Sequence, residues 1–82
     1  MYYVYVLRSA KDQNFYVGKT SDLKKRFDEH CSGRVQSTKN RLPLELVYYE
    51  ASRNSKDIHA RELYLKSAWG KRYIKQRIKN DG

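Results

Sequence analysis

Cysteine is nearly absent from the sequence, since Cys31 is the single one among 82 residues. One cysteine excludes an intramolecular disulfide and a cysteine-rich zinc site, and it is typical of an intracellular chain. Proline and glycine are scarce too, and no Pro/Gly/Ser-rich linker, internal repeat or low-complexity stretch interrupts the chain. The sequence therefore predicts one domain over residues 1–82, with short connections.

Long hydrophobic runs are missing as well. The apolar run Tyr2–Leu7 has no basic segment before it and is interrupted by Arg8, so we expect neither a signal peptide nor a membrane span at this position. We expect a cytoplasmic protein that makes no use of the membrane.

Acidic residues are half as numerous as basic ones, nine against eighteen, so the formal net charge is +9 at pH 7. The cations are distributed along the whole chain and not gathered in one tail. A surface of this kind attracts polyanions, and nucleic acid is the partner we expect ahead of an anionic membrane. The alternative is that the charge only keeps the chain in solution.

The residues that are plentiful are tyrosines, eight of them, within a hydrophobic fraction of 39%. Two β-branched and aromatic runs, Tyr2–Leu7 and Phe15–Val17, flank the polar segment 9–14 and predict a β-hairpin ended by Gly18. Because each buried phenol needs a partner for its hydroxyl, the core should be edged with hydrogen-bonding groups.

The first helix is predicted over residues 21–32. Thr20 or Ser21 can cap its N-terminus, and Gly33 follows as its stop. A polar and basic segment comes next, after which Pro43 opens a third strand over residues 44–49.

Two further helices are predicted from apolar periodicity. Asn54 or Ser55 caps the second helix, which Gly70 ends, and the last helix covers residues 71–79. The inward stripe of the second helix consists of Ile58, Glu62, Leu65 and Trp69, and that of the last helix consists of Tyr73, Ile74 and Ile78. The order β-β-α-β-α-α predicts an α+β fold with a small three-stranded antiparallel sheet flanked by helices.

Glu62 carries a carboxylate within an apolar stripe, between Ile58 and Leu65. A buried charge normally acquires a partner, a metal ion or a proton. The alternative is that Glu62 lies at the edge of the stripe and pairs with Lys66 at i+4.

Arg26 and His30 lie four residues apart on one face of the first helix, and Lys19 comes shortly before it. They predict either a phosphate-binding cluster near the helix N-terminus or an ordinary solvated basic face. On the hairpin, Tyr5 and Tyr16 would meet across the sheet, where phenols either polarise a water molecule or only pack.

The pattern Tyr3-Val4-Tyr5 and Tyr16-Val17-Gly18-Lys19, followed by Leu23, Arg26, His30 and Glu62, resembles the GIY-YIG nuclease superfamily. The likeness is to its small stand-alone, excinuclease-like members of the UPF0213 type, and it spans Tyr2 to about Ile78. Tyr3 and Val4 stand where the family pattern has Gly-Ile, and Val17 replaces Ile.

The resemblance implies a metal-dependent endonuclease. Glu62 would be the single protein ligand of a Mg²⁺ or Mn²⁺ ion, and Tyr16 would activate or orient the attacking water. Tyr5 would support Tyr16 by hydrogen bonding, and Lys19 would keep a phenolate accessible by electrostatic attraction.

Two further roles follow from the same resemblance. Arg26 would stabilise the pentacovalent phosphate, and His30 would transfer a proton or contact a phosphate.

The segment between the first helix and the third strand offers three cations among small polar residues: Arg34, Lys39 and Arg41. We expect this loop to contact the nucleic-acid backbone, the alternative being a flexible connection. The cations of the last helix are expected to form a solvated face.

Three functions from different classes remain open. The first is a metal-dependent endonuclease acting on DNA in preference to RNA, the second a nucleic-acid-binding module with little turnover, and the third an interaction domain for an acidic protein. Tyr16, Arg26 and Glu62 favour the first, because binding alone needs no metal carboxylate. Since 82 residues leave little room for a specificity domain, we expect cleavage that is weak, structure-directed, or dependent on a homodimer or a partner protein.

Overall fold

The structure is a computed structural model that describes residues 1–78. Its elements, in chain order, are β1 Tyr2–Ser9, β2 Phe15–Thr20, α1 Leu23–Cys31, β3 Leu44–Ser52, α2 Ser55–Lys66 and α3 Ala68–Ile78. The predicted order β-β-α-β-α-α is confirmed.

The three strands form one sheet in the order β2-β1-β3, and β1 pairs antiparallel with both neighbours. β1 is central because its residues are apolar in succession: Val4, Tyr5, Val6 and Leu7 are all buried. A strand with apolar residues on both faces needs a cover on both sides. The predicted α+β fold class, a small antiparallel sheet flanked by helices, is confirmed.

The sheet lies between two helical layers. Val4 and Val6 point to the face that packs against α2 and α3, where Ile58, Leu65 and Ile74 complete the main core. Since side chains alternate along a strand, Tyr5 points to the opposite face, where it contacts His30 of α1. The strands thus separate α1 from the α2–α3 pair.

The N-cap of α1 is Asp22, whose carboxylate accepts a hydrogen bond from the backbone N–H of Lys25 at 3.1 Å. The predicted caps, Thr20 and Ser21, were wrong because the Thr20 hydroxyl instead accepts the backbone N–H of Asp22 at 3.0 Å. The predicted stop at Gly33 is confirmed, since this glycine follows the helix with a φ of 76°.

The connection between α2 and α3 differs from the predicted one. α2 ends at Lys66, Ser67 adopts an extended conformation, and Trp69 is 68% exposed, so its place on the buried stripe was wrong. Gly70 does not end α2 but lies inside α3, where an added Cβ would overlap the backbone at Tyr64 and Leu65. Glycine is needed there because α3 crosses closely over the end of α2.

The inward face predicted for α3 is confirmed. Ile74 and Ile78 are buried and Tyr73 is partly buried, while the cations of the helix point outward. The last residue of the predicted helix, Lys79, lies outside the described residues. Within residues 1–78, no helix combines the length and the apolar character needed to cross a bilayer.

Candidate active site

The phenol of Tyr5, on the central strand, is buried, with only 1% of the residue exposed. Its hydroxyl lies 2.8 Å from Nε2 of His30. The ring crosses β2 at Gly18, where an added Cβ would stand 2.5 Å from the hydroxyl oxygen. The glycine of the second triplet is therefore required by the close approach of a buried ring.

Both ring nitrogens of His30 face hydroxyl groups, because Nδ1 lies 2.7 Å from Oγ1 of Thr38 while Nε2 faces Tyr5. Burial lowers the pKa of His30, and the positive charge of Arg26 lowers it further. The neutral imidazole has one N–H donor and one acceptor nitrogen, which together satisfy both hydroxyls. His30 therefore links the phenol of Tyr5 to the loop that carries Thr38.

Tyr16 is the second phenol at this imidazole. It pairs with Leu7 in the sheet, two residues from the pair of Tyr5 with Gly18, so both tyrosines point to the same face. The ring centroids of Tyr16 and His30 are 5.2 Å apart, and those of Tyr5 and His30 are 5.6 Å apart. Tyr16 differs from Tyr5 in remaining partly exposed, so solvent and ligands can reach it.

Arg26 lies one helical turn before His30 and brings a positive charge to the phenol of Tyr5. Burial raises the pKa of Tyr5, and the nearby guanidinium of Arg26 lowers it in part. The Nη1 atom of Arg26 also lies 3.2 Å from Oε1 of Glu29, and its side chain is 38% exposed. Arg26 therefore has room to contact an anion beside the two tyrosines.

Glu62 supplies a carboxylate from α2 that is only 8% exposed. Its Oε2 lies 3.3 Å from Nζ of Lys66, and its Oε1 lies 3.8 Å from both Nζ of Lys19 and Nδ1 of His59. Glu62 is thus buried, as its place on the stripe predicted, and also paired with Lys66, as the alternative predicted.

Lys19 lies close to the carboxylate of Glu62 and not to the phenols of Tyr5 and Tyr16. In β2 its side chain points to the face opposite Tyr16 and Gly18, and its ammonium donates to Nδ1 of His59 at 2.8 Å. Lys19, Arg26 and His30 form neither of the two predicted arrangements, a phosphate-binding cluster or a solvated basic face, because His30 is buried in the last turn of α1 and Lys19 lies on the other face of β2.

The site therefore has two halves, one on each face of the outer strand β2. The first half holds Tyr5, Tyr16, Arg26 and His30, and the second holds Lys19 and Glu62. The halves influence each other, since the negative charge of Glu62 contributes to raising the pKa of Tyr5. Because β2 is the edge of the sheet, a ligand at this edge can reach side chains of both faces.

The loop between α1 and β3 is held by buried residues, Val35 and Thr38. Arg34 and Lys39 are exposed, and Arg34 lines a surface pocket on α1 together with both acidic and basic residues. Arg41 is paired with Asp12, with Nε and Oδ2 3.2 Å apart. The contact of this loop with a nucleic-acid backbone stays a prediction.

A divalent cation would find a single carboxylate at this site. Within residues 1–78, no group of three or more His, Cys, Asp or Glu side chains is arranged to hold a metal ion. Magnesium accepts sparse protein ligation because it retains several waters and binds substrate phosphates. Glu62 fits such a role if the cation displaces the ammonium of Lys66 from its Oε2.

Two contacts of the site were not predicted from the sequence. Thr38 is one residue of an aperiodic polar loop, so nothing local marks it as the partner of His30. His59 precedes Glu62 by three residues and thus shares its helix face, a spacing that offered a usable signal.

The chain is similar to a known protein family over nearly its whole length. A family model described as the GIY-YIG catalytic domain matches residues 1–79, which include the six predicted catalytic residues. A UPF0213 protein of Clostridium perfringens is 40% identical over 67 residues, covering 80% of this chain and 71% of that protein. A UPF0213 protein of Pediococcus acidilactici is 37% identical over 84 aligned positions, covering 99% of this chain and 84% of that protein.

A solved structure is similar over the whole length of the chain. The solution NMR structure of a UPF0213 protein from Bacillus halodurans matches with a TM-score of 0.57 and 31% sequence identity. The alignment covers 100% of this chain and 87% of that one.

Proposed function

Since the chain belongs to the GIY-YIG family, whose members are generally nucleases, we propose that residues 1–82 form one endonuclease domain that hydrolyses phosphodiester bonds of DNA. One observation carries the proposal. Two phenols meet at one buried imidazole on one face of β2, and a buried carboxylate lies at the other face. Packing alone does not call for a carboxylate at that position.

The two tyrosines have different roles in this proposal. The raised pKa of Tyr5 keeps its phenol protonated, so Tyr5 serves as a hydrogen-bonding support. Tyr16 is partly exposed and orients and activates the attacking water. As the oxygen of that water bonds to phosphorus, the water passes one proton through the Tyr16 hydroxyl to solvent; the bond from phosphorus to the leaving oxygen breaks, and the leaving oxygen takes up a proton from solvent.

Charge stabilisation comes from both halves of the site. Arg26 binds the phosphate as negative charge grows on its equatorial oxygens. Glu62 would hold one Mg²⁺ or Mn²⁺ ion, which would supply positive charge to offset the negative charge of the phosphate and of the leaving oxygen. Lys19 and Lys66 position the Glu62 carboxylate before the cation binds.

The proposal is tested by cleavage of linear, branched and single-stranded DNA and RNA in the presence of Mg²⁺ or Mn²⁺. We expect Glu62→Gln and Tyr16→Phe each to reduce cleavage by about 100-fold or more. The matched controls are Glu45→Gln and Tyr49→Phe, which change an exposed carboxylate and an exposed phenol on β3. Equal losses in the site variants and in the controls would contradict the proposed roles.

A second function, a nucleic-acid-binding module with little turnover, is favoured by one contact. Lys66 and Lys19 already offset the charge of Glu62, so this carboxylate can stay buried without a metal ion. In that case the parent protein binds DNA but cuts none of the substrates, and Glu62→Gln binds as well as the parent.

A further inference from the structure

A groove leads away from Tyr16 along α3, formed by two adjoining cavities of about 250 Å³ and 560 Å³. The first lies between β2 and the α2–α3 pair, and the second lies between the hairpin turn and α3. Phe15 and Lys71 line both cavities, which makes the groove continuous. We call it the α3 groove.

Its charge is positive along the whole length. The cations that line it are Lys66, Lys71, Lys75 and Arg41, and no acidic residue of the part that the structure describes lines either cavity. Lys66 is offset by Glu62 and Arg41 by Asp12. Lys71 and Lys75 are exposed and have no carboxylate within salt-bridge distance among residues 1–78.

Lys71 and Lys75 lie on the same face of α3. They are four residues apart on α3, so their side chains project from one face, one turn apart. A row of uncompensated ammonium groups beside the reaction site is suited to consecutive phosphates of one strand.

An apolar side chain exposed in the groove favours the binding of an unpaired strand over that of a duplex. Phe15 lies at the junction of the cavities and is partly exposed, and the buried side chains of Leu65 and Ile74 lie beneath the cavity near Tyr16. Bases of an unpaired strand can stack on an aromatic ring, whereas the bases of a duplex are stacked on each other.

We propose that the α3 groove binds an unpaired strand of the substrate where it leaves the reaction site, with phosphates on Lys71 and Lys75 and a base against Phe15. This inference rests on the proposed function for the position of the cut. It names the substrate class as DNA with a single-stranded segment next to the scissile bond.

The test is binding of a fluorescently labelled 20-residue oligothymidylate and of a hairpin duplex, measured by anisotropy over a range of KCl concentrations in EDTA. The variant Lys71→Gln/Lys75→Gln is compared with Lys24→Gln/Lys25→Gln, which removes two exposed lysines from α1 and lowers the net charge of +9 by the same two units. Thermal unfolding of each variant checks that it is folded.

The groove variant should bind the oligothymidylate about tenfold more weakly at 0.1 M KCl, and the slope of log K against log[KCl] should fall by about 1.4, or 0.7 for each lost phosphate contact. The α1 variant should keep the slope of the parent. Phe15→Leu, which retains an apolar side chain, should weaken oligothymidylate binding several-fold at an unchanged slope and leave duplex binding unaltered.

Equal losses in the groove and α1 variants would overturn the proposal, since only the overall charge would then matter. Equal losses for the oligothymidylate and the duplex would overturn the assignment to an unpaired strand. If the groove variant alone loses binding but the parent cuts nothing, the groove stands and the nuclease proposal fails. If the parent cuts DNA and the groove variant binds like the α1 variant, the nuclease proposal stands and the groove proposal fails.

Discussion

The ring of Tyr5 and an added side chain at position 18 would occupy the same space, so each residue restricts what the other can be. We predict that Gly18→Ala destabilises the protein by about 1–3 kcal/mol, the usual cost of overpacking. In a Tyr5→Leu background most of this cost should vanish, because leucine lacks the distal ring atoms that the new methyl group meets. Urea unfolding of the double-mutant cycle measures the difference, and additive losses would contradict the explanation.

The buried imidazole of His30 makes the stability depend on pH. Its pKa is lowered in the folded state, whereas a histidine in the unfolded chain has a pKa of about 6.5. As the pH falls below the pKa of the unfolded state, the unfolded chain takes up a proton that the folded protein does not. The contribution of His30 to stability is therefore complete above this pH and is lost as the solution becomes more acidic.

We therefore predict that His30→Gln shows a weaker fall of Tm between pH 7 and pH 5 than the parent, although it is less stable at pH 8. His59→Gln is the matched control, because His59 is exposed, and it should keep the pH dependence of the parent. Parallel curves for the parent and His30→Gln would show that the loss of stability has another source.

At the scale of elements, an ion pair joins α2 to β3. Arg61 donates from Nε and Nη2 to the two carboxylate oxygens of Glu50, at 2.8 and 2.7 Å, and the Tyr48 hydroxyl donates to the same carboxylate at 2.6 Å. The guanidinium lowers the pKa of Glu50. A carboxyl group with a lowered pKa stabilises the fold at pH values above the pKa of glutamate in the unfolded chain, about 4.3. This stabilisation is lost as the pH falls through the pKa of the folded state.

We predict that Arg61→Leu lowers the free energy of unfolding at pH 7 by about 1–2 kcal/mol and by less at pH 3, because the carboxyl of the unfolded chain is protonated there and the contribution of the pair is reduced. The pair formed by Arg8 and Glu45 is the control, since a single exposed contact joins them. Arg8→Leu should cost at most about 1 kcal/mol at pH 7. Urea midpoints of both variants at the two pH values decide between these outcomes.

At the scale of the whole molecule, the sequence predicted the features that depend on neighbouring residues. The element order and the inward side of α3 followed from apolar periodicity, and the family resemblance, which the comparisons confirm, followed from the two tyrosine triplets and the residues after them. Trp69 was placed wrongly because periodicity extends through Ser67, where the backbone turns extended.

Two contacts that the sequence did not predict join residues from different elements of the fold. Thr38 meets His30, and Lys19 lies beside Glu62 and not beside Tyr16, because strand pairing and helix docking decide which face each residue occupies. Such choices carry no local pattern. The catalytic roles of the residues gathered at β2 stay predictions that the cleavage experiment tests.

The division of the site between two faces of β2 makes its chemistry sensitive to strand slippage. A shift of β2 by one residue along β1 would exchange its faces, turning Tyr16 toward the main core and Lys19 toward the phenol of Tyr5. It would also place a residue with a side chain opposite the ring of Tyr5, since Gly18 is the one glycine within β2. The contact that admits only glycine thus also selects the correct strand alignment, so a misaligned chain could form neither the core nor the site.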